Sequence, residues 1–222
     1  PTDLPPTIFG STMAQGNRLE TVLRVDLDHT DRVLAQIEAF EREQQSWVRQ
    51  VPARSPLRGE DIVLTSAFGS RRSPYTRAME FHSGIDLAAP AGTRIFAPAA
   101  GVVAWAGAVE ADRRNDWWRL GQTVVIASGD TFRTIFGHCQ EILVRPGSRV
   151  EAGDPIATVG DTGWTTGPHL HYEIRRRTGA GWMAVDPRDY LLDRPLEEHD
   201  RPPAARKPNS LEAQPLPPQF LR

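Results

Sequence analysis

Apolar residues in the first quarter of the chain recur every three or four positions: Leu19, Val22, Leu23, Leu27, Val33, Leu34, Ile37, Phe40, Trp47 and Val48. That is the period of a helix with one apolar face. Asn17 with Glu20 three residues later has the form of a capping box, and Pro52 supplies a stop. The spacing predicts an amphipathic helical extension over 17–52, preceded by a short lead at 1–16. Thr30 and Asp31 interrupt the stripe, which favours packing on its own domain over a coiled coil.

From Ile62 to about Tyr190 the pattern changes to short apolar or alternating runs between Gly, Pro, Asp and Ser. The predicted strands are Ile62–Ser66, Thr93–Ala97, Gly101–Ala106, Thr123–Ala127, Thr131–Phe136, Pro155–Val159 and His169–Arg175. Many short strands so punctuated predict an all-β core, sandwich or barrel, over 53–192. Beyond it, Pro195 to Arg222 holds seven prolines and no apolar period, which predicts a C-terminal tail (193–222) without a core of its own.

Composition narrows the partners. With 26 basic and 28 acidic residues the net charge is -2, so no global field draws the chain to nucleic acid or anionic lipid. No run approaches the roughly 20 apolar residues of a membrane span. The chain starts at Pro1 without a charged-then-apolar leader, and reads as a mature or trimmed form. Cys139 is the single cysteine, which excludes an intrachain disulfide and a cysteine-only metal site.

Candidate chemistry lies in "GPHLHYEI", Gly167 to Ile174. In a strand, residues i and i+2 share a face, so His169 and His171 project together. Tyr172 and Ile174 favour a strand, and Pro168 fits only at its start. By itself the pair is equally two half-exposed surface histidines; partners elsewhere decide. Four of the six histidines fall in the β region, and "FHSGIDLAAPAGT" sets His82 four residues before Asp86 with Gly84 between. His82, Asp86 and His171 make three N/O donors, the count a catalytic zinc uses while keeping one position open. His169 and His138, in "IFGHCQ", remain as imidazoles able to move a proton. Glu173 shares the strand face, as a weaker base candidate or a solvated or arginine-paired carboxylate.

Taken together, "SAFGSRRSP", "FHSGIDLAAPAGTRIFAPAAGVVAWAG", "GHC", "PGSRVEAGDPIATVGDTG", "TTGPHLHYEI" and "VDPRDYL" resemble the lysostaphin-type, or LytM-domain, zinc metallopeptidases that cut peptide bonds in bacterial peptidoglycan. The resemblance covers roughly Thr65 to Leu191. It implies a groove between antiparallel β-sheets with the metal on its floor. It also implies one zinc per chain, held by His82, Asp86 and His171, with His138 and His169 as the catalytic pair. The implied substrate is a peptidoglycan stem or cross-bridge peptide, and the implied location is the bacterial envelope, periplasmic or secreted.

The chain departs from the family pattern in places. Phe136 replaces a tyrosine common two residues before the "GHC" histidine, Ser73 stands where many relatives have histidine, and Tyr75 is a candidate oxyanion donor. Val109 to Gly121 is longer than usual and carries Trp117 and Trp118, which either line the groove or cover a sheet edge. Two rival classes arise. A biotinyl or lipoyl carrier shares the strand pattern, but it needs a hairpin lysine and the chain's one lysine is Lys207, in the tail. A regulatory LytM module would bind and activate a cell-wall amidase, with the N-terminal helix docking an envelope protein or a second copy. That helix also raises an inhibitory possibility, in which Asn17, Asp26, Asp28 or His29 fills the open metal position.

Overall fold

The computed structural model describes residues 9–59, 61–73, 75–110, 116–192 and 215–221, with side chains described from residue 30 onward. The chain divides into two units, residues 1–46 and residues 47–222. Helix α1 (Phe9–Gln50) starts earlier than the apolar spacing suggests. Met13, Ala14 and Gln15 are strong helix formers and carry it through Asn17, which is therefore inside the helix and not its cap. It stops two residues before Pro52, as a residue lacking an N–H requires. Within the described part of the first unit, Val33, Leu34, Ile37 and Phe40 are exposed. The described helices include none long and apolar enough to cross a membrane.

The second unit is the expected all-β core, built of antiparallel sheets. Its strands are β1 (Val63–Ser66), β2 (Gly69–Arg72), β3 (Met79–His82), β4 (Ile85–Ala88), β5 (Arg94–Phe96), β6 (Gly101–Ala108), β7 (Gln122–Ser128), β8 (Phe132–Gly137), β9 (Cys139–Ile142), β10 (Arg149–Val150), β11 (Pro155–Val159), β12 (His169–Thr178) and β13 (Gly181–Val185). The main sheet has the order β1-β4-β12-β8-β7-β6-β10, with β13 beside β12; β5-β11-β9 and β2-β3 form smaller sheets. All seven predicted strands are present. Those missed by the pattern, β2, β3, β4, β9, β10 and β13, are two to five residues long and too short to show alternation.

Alternation divides each central strand between two faces. Leu170, Tyr172 and Ile174 of β12, Phe136 of β8, Val124 and Ile126 of β7, and Ile85 and Leu87 of β4 join Ile95, Ile156, Val159 and Cys139 of the three-stranded sheet in one buried core. Phe136 stacks on Tyr172 with centroids 5.5 Å apart. Each such side chain contributes roughly 1.5–3 kcal/mol of burial. The opposite face, carrying His169, His171, Glu173 and Arg175, is left for a cleft.

The C-terminus departs from expectation. Leu216 and Phe220 are buried with Val109, Trp117, Val125 and Ile135, so part of the proline-rich segment packs on the β unit. Residues 193–214 lie outside the described ones.

Candidate active site

Strand pairing brings the predicted ligands together. Asp86 of β4 lies directly opposite His171 of β12, while Ile85 and Leu87 on either side of Asp86 face the core. His82 enters at the end of β3 through the Ser83–Gly84 turn. Gly84 is required by close approach: a Cβ there would lie 2.4 Å from the Tyr172 carbonyl oxygen. The distances are 3.0 Å from His171 Nδ1 to Asp86 Oδ1, 3.2 Å from His82 Nε2 to Asp86 Oδ1 and 3.1 Å from His82 Nε2 to His171 Nδ1. Three ligand atoms at tetrahedral zinc distances stand about 3.3 Å apart, so the donor set fits such an ion without rearrangement.

The surrounding bonds set the tautomers. His82 donates its Nδ1 proton to the Ala67 carbonyl at 2.9 Å, which leaves Nε2 as a lone pair facing the other donors. His171 Nε2 lies 3.6 Å from Glu173 Oε2. Glu173 in turn accepts from Ser83 Oγ at 2.7 Å and from Arg175 Nε. The arginine-paired reading of Glu173 is the one observed, and it is buried, not solvated. Burial raises the carboxyl, but the Arg175 charge and His171 outweigh it and hold it at about 2. Asp86 likewise sits well below its ordinary value: burial opposes this, and the close His171 and His82 imidazoles override it.

His138 and His169 stand beside this cluster with ring centroids 4.5 Å apart. His138 occupies the β8–β9 turn at φ 62°, a left-handed conformation held by its backbone N–H to Leu120 O at 2.7 Å. Such a conformation in a residue other than glycine stores strain and marks a constrained position. Its Nδ1 donates to Thr162 O at 2.8 Å, and His169 Nδ1 donates to Gly167 O at 2.8 Å. Each ring thus commits Nδ1 to a carbonyl and leaves Nε2 to the cleft, that of His169 3.8 Å from Asp86 Oδ1. Burial and the neighbouring His171 and His169 push His138 down to about 4, so it is neutral at pH 7.

All five histidine and aspartate candidates line one cleft of about 950 Å³, together with Tyr75, Arg119 and Trp164. Trp117 and Trp118 part company. Trp117 is buried against Phe220 and donates to Pro215 O at 3.1 Å, whereas Trp118 meets Trp164 at 5.5 Å. Trp164 and Arg119 escaped the sequence reading because loop residues carry no periodic signal. Cys139 points into the core, where burial pushes its thiol up to about 12 and removes it as a nucleophile.

Residues 80–187 match the model of peptidase family M23. The chain belongs to peptidase family M23. Over 112 residues it is 39% identical to the peptidoglycan DD-endopeptidase ShyA of Vibrio cholerae, a match covering 50% of this chain and 24% of that protein. The chain thus spans about a quarter of that relative's length. A crystal structure of a zinc-containing peptidase from Vibrio cholerae aligns with TM-score 0.50 and 31% identity over 60% of this chain and 38% of its own. The catalytic domain of lysostaphin from Staphylococcus simulans shares the fold, with TM-score 0.50 and 24% identity over 59% of this chain and 92% of its own.

Proposed function

We propose that this M23 chain is a zinc-dependent endopeptidase that hydrolyses amide bonds in the stem or cross-bridge peptides of bacterial peptidoglycan, acting in the envelope as a periplasmic or secreted protein. The observation that carries the proposal is the set of three donor atoms 3.0–3.2 Å apart beside two imidazoles with free Nε2 atoms.

In this reading His82, Asp86 and His171 hold one zinc, and His138 and His169 are catalytic. A bound zinc supplies a Lewis acid that brings water's pKa toward neutrality and polarises a carbonyl oxygen. His138, kept neutral by burial, accepts a proton from the attacking water and then returns it to the leaving amine. His169, with Nδ1 committed to Gly167 O, offers Nε2 to the same space. Ala67 and Glu173 orient the two ligand imidazoles. No serine or cysteine nucleophile is needed, and among the described cleft carboxylates Asp86, Glu80 and Glu173 are each engaged by imidazole or arginine, unlike the two acids that flank a sugar bond in glycosidases.

Digestion of purified sacculi tests this. Mass spectrometry should show cross-linked dimers converted to monomers, with new primary amines and no new reducing ends. His171→Ala should lose most of the single zinc equivalent, and His138→Ala should keep it while losing turnover. New reducing ends, or a rate untouched by saturating chelator, would overturn the proposal. The regulatory alternative predicts binding to an amidase without cleavage. All five positions an active peptidase uses are filled here, and that weighs against it. The exposed apolar residues of α1 support a contact with an envelope protein or a second copy.

A further inference from the structure

Two loops beside the His138–His169 pair are locked together by close backbone contacts. Gly121 (φ 61°) and Gly163 (φ 79°) meet backbone to backbone: a Cβ on Gly163 would lie 2.3 Å from Arg119 O, and one on Gly121 2.5 Å from Gly163 N. Trp164 N–H donates to Arg119 O at 2.7 Å, and Gln122 N–H donates to Thr162 Oγ1 at 3.0 Å. The lock sets Trp118 beside Trp164 and Trp164 beside Tyr75, the latter pair 5.2 Å apart edge to face. Arg119 spans the two indoles, its guanidinium carbon 5.1 Å from the Trp164 centroid and 6.0 Å from that of Trp118.

The arginines of the cleft are not equivalent. Arg71 is committed to Asp86 and Glu80, both at 3.0 Å, and Arg175 to Glu173. Among the described residues Arg119 pairs at 3.3 Å with Asp116, in a bridge whose side chains are 41% and 48% exposed. Pairs so wetted are weak and give way to a bound anion. Its Nε is buried and has no hydrogen-bond partner among the described residues, so the terminal nitrogens are the ones within reach of a ligand. Stacking engages the face of a guanidinium, so a carboxylate meets its edge, here at the terminal N–H groups of a side chain that stays 41% exposed.

We propose that Arg119, carried by Trp118 and Trp164, forms a subsite for a carboxylate of the substrate peptide, with Trp164 and Tyr75 as its apolar wall. The proposal rests on the peptidase reading and names a specificity determinant within it. An anion placed there is fixed beside the His138–His169 pair, because Leu120, next in the chain, accepts the His138 backbone N–H. The subsite positions the peptide and takes no part in bond cleavage.

The test uses synthetic cross-linked peptides in which each free carboxylate is converted in turn to the carboxamide. Turnover is measured with the zinc-loaded protein, and the dissociation constant with zinc-loaded His169→Ala. One particular carboxamide should raise KM and Kd about tenfold, a loss typical of one charge-assisted contact, with kcat within about twofold. Arg119→Gln should weaken the parent peptide by the same factor and leave that carboxamide unaffected. Arg119→Gln weakening acid and amide peptides equally, or changing neither, overturns the subsite, as does failure of every peptide to bind. If no peptide is cut while the acid and amide still bind differently, the peptidase reading fails and the subsite stands.

Discussion

Arg175 and Glu173 form an ion pair in which both side chains are 1% exposed, so breaking it has a calculable cost. Arg175→Met keeps most of the volume and the apolar stem but leaves the carboxylate buried without its cation. It also removes the guanidinium that sits 5.1 Å from the Trp117 ring. Glu173 is held at about 2 against an ordinary 4.5, a difference equivalent to about 3 kcal/mol at 1.36 kcal/mol per pH unit. Removal of one partner from buried pairs elsewhere costs roughly 3–5 kcal/mol. A loss of about 3 kcal/mol is therefore expected at pH 7, or roughly 6–12 °C in Tm. The sign in pH follows from the lowered carboxyl. Its stabilisation is present above 4.5 and is lost as pH falls toward 2, so the gap between wild type and variant narrows in acid. The assay is urea unfolding of chelator-treated protein, followed by tryptophan fluorescence. The control is Arg175→Met/Glu173→Gln, in which no charge is stranded and at least half the loss returns. A cost below about 1 kcal/mol for the single variant, or a double variant no more stable than the single, would refute the reasoning.

Three further outcomes are expected. Gly84→Ala drives a methyl to 2.4 Å from Tyr172 O and should weaken zinc binding at least tenfold in competition with a chromophoric chelator, alongside a stability loss of about 2 kcal/mol; unchanged affinity would show that the turn does not fix His82 against Asp86. His138, pushed down to about 4 from 6.5, binds fewer protons folded than unfolded, so metal-free protein should lose about 3 kcal/mol between pH 6.5 and 4. His138→Asn, which tolerates the left-handed backbone, should flatten that slope in pH-dependent urea melts; an equal slope removes the assignment. Phe220→Ala should cost roughly 3–5 kcal/mol and red-shift tryptophan emission as Trp105 and Trp117 become wetted; no change would mean the C-terminal segment is not seated on the sheet.

The helix and the all-β class were legible in the sequence because each rests on a local regularity, whereas His82, Asp86, His138, His169 and His171 were named together by the resemblance of their motifs and share one cleft only in the fold. Apolar spacing gives α1, alternation gives β12, and the i, i+2 placement of His169 and His171 puts both on one face. Spacing could not say which strand would stand opposite His171, since strand pairing joins positions as far apart as 86 and 171. Asp86 becomes a neighbour only through the register of β4 on β12, and His82 only because Gly84 lets the turn approach Tyr172 O. Nor does sequence distinguish one tryptophan of an adjacent pair from the other. Trp117 is drawn into the cluster completed by Phe220, and Trp118 toward Trp164, by loops that meet at Gly121 and Gly163. The proline-rich end has no periodicity to reveal that Leu216 and Phe220 are buried, because the apolar surface they cover comes from β7, β8 and the Trp117 turn. Local pattern fixes which face of an element is apolar or carries imidazole; only the packed chain fixes which other face it meets, since burial and donor geometry depend on residues far away in sequence.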